Sequence, residues 1–522
     1  MNRKLYIITS CLTVVKAIFP ETSAAADQGR KSRVNVLFLL ADDQRADAIA
    51  CSGNNYIRTP GIDQLASTGV RFTNSYIMGS HSAAISAPSR AMLLSGKYLN
   101  HVYDRLDGVE TMPAYFHKNG YQTFATGKWH NEPSAFEASF QEGENVFVGG
   151  MCNHYRVPCQ RLVNGMLTSS DTLGYSTDLF ADAAIRFLES YAEKKPAAPF
   201  FCYVAFTAPH DPRSPRQDYI GLYPDGTIPP PGNFKTLHPF RFDNMNVRDE
   251  TLAPWPRTPE IIQQSLSDYY TLITHLDKRV GDIISTLKAK GLYDNTIIVY
   301  AADNGLAIGS HGLLGKQNLY EHSVKVPLII SGPGVPRAQV RQAMVYLCDL
   351  FPTLANLCHL PVPKQVDGKC LTPVICGKSD AVRKSLFTAY RNTVRAVRTD
   401  EWKMIVYPQQ NYIQLFNLKK DPLEMNNLSG DSANKGIVTK MTGLLKTWLK
   451  ETGDTLDLFP KKILPMEYDY RKLKQIPDAH QPDYILKRYF KNVDFSKIRN
   501  NDKEVNILPV KTKNNQIKNL SE

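Results

Sequence analysis

Val36-Leu37-Phe38-Leu39-Leu40-Ala41-Asp42-Asp43 is an unbroken apolar run that ends in two carboxylates, and Thr296-Ile297-Ile298-Val299-Tyr300-Ala301-Ala302-Asp303-Asn304-Gly305 repeats the design much later in the chain. Continuous apolarity, in place of alternation, predicts central strands buried on both faces, as in a parallel sheet covered by helices. Both runs release acidic residues at their C-terminal ends. Open α/β sheets place their ligand sites there.

Working outward, Leu266, Tyr270, Ile273, Leu276, Val280, Ile284 and Leu287 recur at three- and four-residue steps, which predicts a long amphipathic helix stopped by Gly291. Helix followed by strand is the doubly wound pattern, so the fold class is α/β, a mostly parallel sheet sandwiched by helices. The proline-rich stretch 224–234 and the segment 238–259 read as long surface excursions. After Gly377 the stretches 385–390, 393–398, 403–407 and 412–417 read as short strands and 436–451 as a helix, a smaller C-terminal α+β subdomain. The expected organisation is a leader over 1–26, a catalytic domain over 32–377, the subdomain over 378–477 and a basic polar tail over 478–522. Within that tail, 484–490 offers one last helix.

A chain of 522 residues, 43% hydrophobic and 21% charged, can bury a large core, and one large domain with a smaller one is expected. The net charge of +12 favours a polyanionic ligand. No zinc-finger spacing, RNP-like aromatic pair or long basic run accompanies it, so nucleic acid is not the expected partner. Arg3 and Lys4, the apolar run 5–19 and Ser23-Ala24-Ala25-Ala26 predict a cleaved export signal and a secreted or periplasmic protein. That run, interrupted by Lys16, is too short for a membrane span. Ile8-Thr9-Ser10-Cys11 also forms a loose lipobox, which leaves a lipid anchor at Cys11 open. Eight cysteines follow the leader; Cys152 with Cys159 and Cys370 with Cys376 are close enough to pair, and small buried hydrophobes are the alternative.

The chemistry-bearing motif is Ser86-Ala87-Pro88-Ser89-Arg90, followed by Ala91-Met92-Leu93-Leu94-Ser95-Gly96-Lys97. Alone it is a turn opening a helix, with Ser86 as its N-cap. Asp42-Asp43 and Asp303-Asn304 supply side-chain oxygens without His or Cys, a set that suits a hard cation, calcium before magnesium; a helix cap and a turn are the plain alternative. Further along come Gly127-Lys128-Trp129-His130, Thr207-Ala208-Pro209-His210-Asp211-Pro212 and Gly312-Leu313-Leu314-Gly315-Lys316.

In this order, over residues 34–428, the motifs resemble the sulfatase family of the alkaline-phosphatase-like fold. The resemblance implies that Ser86 is oxidised to formylglycine (3-oxoalanine). It implies that Asp42, Asp43, Asp303, Asn304 and residue 86 hold Ca2+, and that Arg90 stabilises the nucleophile. Lys128 and Lys316 then hold sulfate oxygens, His130 orients the nucleophile or moves its proton, and His210 protonates the leaving oxygen. The serine form implies an anaerobic sulfatase-maturing enzyme as partner and a bacterial, gut-dwelling source. Residues 395–407 and 414–418, with Asp421-Pro422, Glu424 and Asn427-Leu428, resemble the family's C-terminal signature. Asn131-Glu132 after His130 and the lysine-rich end depart from the family pattern.

For the substrate, Phe147-Val148-Gly149-Gly150-Met151-Cys152-Asn153-His154-Tyr155-Arg156 resembles a segment of bacterial carbohydrate sulfatases, which implies a sulfated carbohydrate. His154 and Arg156 are candidates to bind hydroxyls and Tyr155 to stack on a ring, with loop packing as the alternative. His311 and Arg391 are further candidates. Exo action on galactose or N-acetylgalactosamine sulfates is the expected preference. A phosphate or phosphonate esterase of the same fold and a sulfated-glycan-binding protein without catalysis are the rival readings.

Overall fold

The two apolar runs lie side by side. In the computed structural model β1 (Asn35–Ala41) pairs in parallel with the strand Thr296–Ala302, from Asn35 opposite Thr296 to Ala41 opposite Ala302, and every residue of both strands is buried. The structure describes residues 33–169, 174–474, 477–478 and 480–491. The leader, Cys11 and the lysine-rich end beyond 491 lie outside them.

The remaining strands, in chain order, are β2 (Gly69–Tyr76), β3 (Gly79–Ser80), β4 (Gln122–Lys128), β5 (Glu142–Phe147), β6 (Gln160–Val163), β7 (Met166–Ser169), β8 (Phe200–Ala205), β9 (the Thr296–Ala302 strand) and β10 (Lys325–Ser331). They continue as β11 (Gln339–Tyr346), β12 (Leu386–Tyr390), β13 (Val394–Arg398), β14 (Trp402–Tyr407) and β15 (Tyr412–Asn417). Ten of them form one sheet in the order β11-β2-β10-β9-β1-β8-β4-β5-β6-β7. Its centre, β9-β1-β8-β4-β5, is wholly parallel. Antiparallel pairs appear outside it, β10 against β9 and β2 on one side and β6 against β5 and β7 on the other. The expected α/β sandwich is therefore present, with mixed edges that continuous apolarity does not announce. Five strands end on one edge of the sheet at residues 302, 41, 205, 128 and 147. Asp42-Asp43, Lys128-Trp129-His130, the His210 loop, Asp303-Asn304 and the 147–156 segment all lie at or just after one of these ends.

The periodic helix is Pro259–Ala289, opened by the Thr258 side chain, and the chain turns at Gly291 with a left-handed φ of 67°. The second sheet, β15-β14-β13-β12-β3, belongs to the C-terminal part, with the helix Lys435–Glu451 packed on it. Its last strand comes from the catalytic part, because β3 pairs in parallel with β12 through Gly79 and Ser80. The segment leading to Ser86 is thus stitched to the subdomain.

Two expectations change. The 238–259 segment is no surface excursion: His238, Phe240, Phe242, Glu250, Trp255 and Arg257 are buried, and Phe240 and Phe242 pack against Tyr407. Cys159, Cys370 and Cys376 are thiols, so neither short-range disulfide forms. The last helix expected at 484–490 is present as Asp483–Tyr489; it buries Ile485, Leu486 and Tyr489 while Arg488 pairs with Asp268. No helix among the described residues is long and apolar enough to cross a membrane.

Candidate active site

Ser86 is the first residue of the helix Ser86–Ser95, which is buried along its whole length. Its Oγ lies 3.1 Å from Asn304 Oδ1 and 3.3 Å from Asp42 Oδ1, and accepts from Lys316 Nζ at 3.4 Å. A side chain at a helix N-terminus sits in the positive end of the helix dipole, which favours a developing oxyanion. One turn on, Arg90 donates from Nε to Asp303 Oδ2 (2.8 Å) and from Nη1 to the Lys128 carbonyl (2.7 Å). Its Nη2, 3.9 Å from Asp42 Oδ1, is buried without a hydrogen-bond partner and faces the acidic cluster as a spare donor.

Three carboxylates and three cations meet here. Lys128 Nζ lies 2.5 Å from Asp42 Oδ2, Lys316 Nζ 2.6 Å from Asp43 Oδ1, and Arg90 holds Asp303. All six are almost fully buried, a cost tolerated only because each charge is matched. Burial, reinforced by Asp303, pushes the Asp42 carboxyl up to about 8. Burial also works on Asp303, but Arg90, Lys128 and Lys316 outweigh it and hold that carboxylate well below its usual range. Burial lowers the Lys316 ammonium, and Asp43 and Asp249 more than reverse this.

Asp42, Asp43 and His210 bring ligand atoms within 4.8 Å of one another, and Asn304 donates from Nδ2 to Asp43 Oδ1 at 2.7 Å. Three buried carboxylates crowded together fit a divalent cation, which would relieve their repulsion.

His210 is buried with its Nδ1 donating to the Asp211 carbonyl (2.7 Å) and its Nε2 3.7 Å from Asp43 Oδ2, so Nε2 is the atom turned to the cluster. Burial and then the Lys316 ammonium push its pKa well below the ordinary value. His130, at a left-handed φ of 65°, has its Nδ1 buried without a partner, and burial and Lys128 likewise keep the ring neutral. A Cβ on Gly150 would meet His130 Nε2 at 2.4 Å. Only glycine leaves room for that ring.

The sugar contacts expected of His154 and His311 are not what the geometry provides. His154 is buried, its Nε2 donating to the His210 carbonyl (2.9 Å) and its Nδ1 accepting from Ser176 Oγ (2.9 Å). Burial lowers its pKa to about 4, so the neutral ring steadies His210 from behind. His311 stacks on Tyr320 at 4.0 Å and donates to the Leu423 carbonyl, which makes it a packing residue. Tyr155 is half-buried with its hydroxyl on the Pro215 carbonyl, whereas Arg156 and Arg391 are exposed.

Several supports have no sequence signal, because their partners are distant in the chain. Asn131, one of the departures from the family pattern, donates to the carbonyls of Ala87 (3.0 Å) and Asp104 (2.6 Å) and fastens the turn that carries Ser86. Glu250 accepts from the amides of Leu314 and Gly315 and pairs with Arg257, which shapes the Lys316 turn. Arg248 pairs with Asp211, with Asp249 and, at 3.1 Å, with Asp478 of the C-terminal segment. Burial raises the Asp211 carboxyl, but Arg248 and His210 hold it far below its usual range. Arg248→Ala strands that buried carboxylate beside His210. We expect about 3 kcal/mol of lost stability and a fall in kcat of about tenfold, with Arg248→Lys recovering part of both; thermal melts with steady-state kinetics check this.

Comparison with known proteins agrees with this geometry. The sulfatase family model matches residues 34–360, and the N-sulphoglucosamine sulphohydrolase C-terminal model matches residues 309–451. An N-acetylglucosamine-6-O-sulfatase of Bacteroides thetaiotaomicron is 27% identical, over 85% of this chain and 91% of the relative. The iduronate 2-sulfatase of Homo sapiens is 30% identical, over 67% of this chain and 73% of the relative. A solved structure in complex with its substrate D-glucosamine-2-N,6-O-disulfate superposes with a TM-score of 0.69 at 25% identity, over 82% of this chain and 100% of that one. The chain belongs to the sulfatase family and is a sulfuric ester hydrolase.

Proposed function

We propose that the chain removes sulfate from sulfated glycans with a formylglycine nucleophile made from Ser86, in a calcium-dependent site, after export from a bacterial cell. The observation that carries this reading is the setting of Ser86: a buried helix N-terminus where Asp42, Asn304 and Lys316 converge on one Oγ. A sulfate ester has shielded sulfur and a poor alkoxide leaving group. It needs neutralised oxygens, an activated nucleophile and a proton for the departing oxygen.

Asp42, Asp43, Asp303 and Asn304 are the residues to hold calcium, which when bound supplies positive charge that favours an ionised nucleophile. Lys128 and Lys316 are the cations within reach of the sulfate oxygens, and Arg90 offers its spare Nη2 to the nucleophile. In the hydrated aldehyde, one hydroxyl oxygen bonds to sulfur while the bond between sulfur and the sugar oxygen breaks. The proton for that oxygen is delivered through His210 Nε2, the ring nitrogen turned to the cluster while Nδ1 stays on the Asp211 carbonyl. The second hydroxyl then loses its proton to His130, its electrons reform the aldehyde, and sulfate leaves. A plain serine has no second hydroxyl and cannot complete this collapse.

For the sugar, the preference for galactose loses its support once His154 is buried behind His210. The names of the N-acetylglucosamine-6-O-sulfatase and of the glucosamine disulfate complex favour a sulfated glucosamine as the first substrate to test, with galactose and N-acetylgalactosamine sulfates as the second arm. Coexpression with an anaerobic sulfatase-maturing enzyme, then mass spectrometry of the peptide containing residue 86, tests the nucleophile. The expected peptide is two hydrogens lighter than the serine form, and unmodified serine in active protein would overturn the reading. Chelation is expected to abolish turnover and lower the melting temperature, with calcium restoring both; a ligand at a hundred times its Kd stabilises by about 2.7 kcal/mol. Indifference to chelator and calcium would remove the metal from the scheme.

A further inference from the structure

A cleft of about 310 Å3 opens between the stretch leading to Ser86 and the C-terminal subdomain. His81, Asn100, Tyr103, Arg391 and Asn392 are among its lining residues, whereas Asp42, Asp43, Ser86, Lys128 and Lys316 are not. The volume is at the small end of ligand pockets and suits one sugar ring. Its walls are tied to the nucleophile's own turn. The Arg391 amide donates to the Ser80 carbonyl at 2.7 Å, and the Tyr390 hydroxyl donates to the Ala83 carbonyl at 2.9 Å. Asn131 bridges the carbonyls of Ala87, next to the nucleophile, and Asp104, next to Tyr103.

Two features point to an occupant. Tyr103 is 66% exposed, an unusual state for a large aromatic ring, and the His81 ring meets it edge-on at 5.3 Å. A ring held from one side with a face open is a platform for the apolar face of a pyranose. Of the cleft's cations, Arg395 is spent on Asp454 and His101 lies 2.8 Å from Asp367, whereas Arg391 has no carboxylate partner among the described residues. An exposed guanidinium beside an aromatic platform suits a carboxylate or sulfate on the same sugar.

We infer that this cleft binds the sugar glycosidically linked to the one being desulfated, an acidic residue such as a uronate, with its ring on Tyr103 and its anionic group on Arg391. The inference rests on the glycan reading above and adds that the preferred substrate is at least a disaccharide. Its test compares a sulfated glucosamine monosaccharide, the same unit joined to a uronate, and an aryl sulfate. Tyr103→Ala is expected to lower kcat/KM on the disaccharide about fivefold, mainly through KM. Arg391→Gln is expected to lower it about tenfold. Both variants leave the monosaccharide and the aryl sulfate within twofold of wild type, and Tyr103→Phe restores the disaccharide rate. Equal losses on all substrates, or no loss on the disaccharide, would overturn the inference alone. A wild-type enzyme that hydrolyses the aryl sulfate but neither saccharide would overturn the glycan reading and the inference with it.

Discussion

Ser86→Ala is expected to abolish sulfate release while the protein still folds. The Oγ occupies a point on which Asp42, Asn304 and Lys316 converge, and no other hydroxyl is held by these three residues among the described ones. Removing the nucleophile of a constellation that works as a unit costs about 10^4-fold or more, because the remaining groups only bind and polarise. Folding loses little. Lys316 keeps Asp43 and Asn304 keeps its bond to Asp43, so the missing hydroxyl costs about 1 kcal/mol. Turnover and circular dichroism on the same sample check both halves. Residual activity above a hundredth of wild type would refute the assignment.

His210→Ala is expected to show the second-largest effect, and one that depends on the substrate. With Nδ1 committed to the Asp211 carbonyl, Nε2 is the only ring atom left to carry a proton toward the departing oxygen. General acid catalysis contributes about 10^2- to 10^4-fold when the leaving group is a poor alkoxide. A sugar sulfate therefore loses about 10^3-fold, whereas a nitrophenyl sulfate, whose phenolate departs unaided, loses far less. Measuring kcat on the two substrates side by side decides it. Equal losses would mean that His210 only shapes the carboxylate cluster, 3.7 Å away at Asp43.

The central strands were legible because burial on both faces leaves a local trace, an uninterrupted apolar run. β1 and β9 carry it, and their terminal carboxylates follow without any knowledge of the fold. The long helix was legible from its period. The sheet edges were not, since β10 is a buried apolar strand like those of the parallel centre and its reversed direction is set by its pairing with β9 and β2. His154 misled for a related reason: a histidine in a motif reads the same whether it faces a sugar or a backbone carbonyl. Its role depends on Ser176 and His210, which only the folded chain brings to its two nitrogens.

What the sequence determined by itself is the pair of acidic strand ends, Asp42-Asp43 and Asp303-Asn304, and, by family resemblance, Lys128, His130 and His210; that these also follow strand ends was decided by the fold. Tertiary structure decided which buried charge answers which. Arg248 was assigned to Asp211 and Asp478, and Glu250 to the amides before Lys316. It also docked the helix at 483–489 on Asp268 and built the Tyr103 cleft from four separate stretches of chain. The physical reason is range. Hydrophobic periodicity is written within a few residues, whereas a desolvated charge is stable only beside a partner that folding delivers from anywhere in the chain.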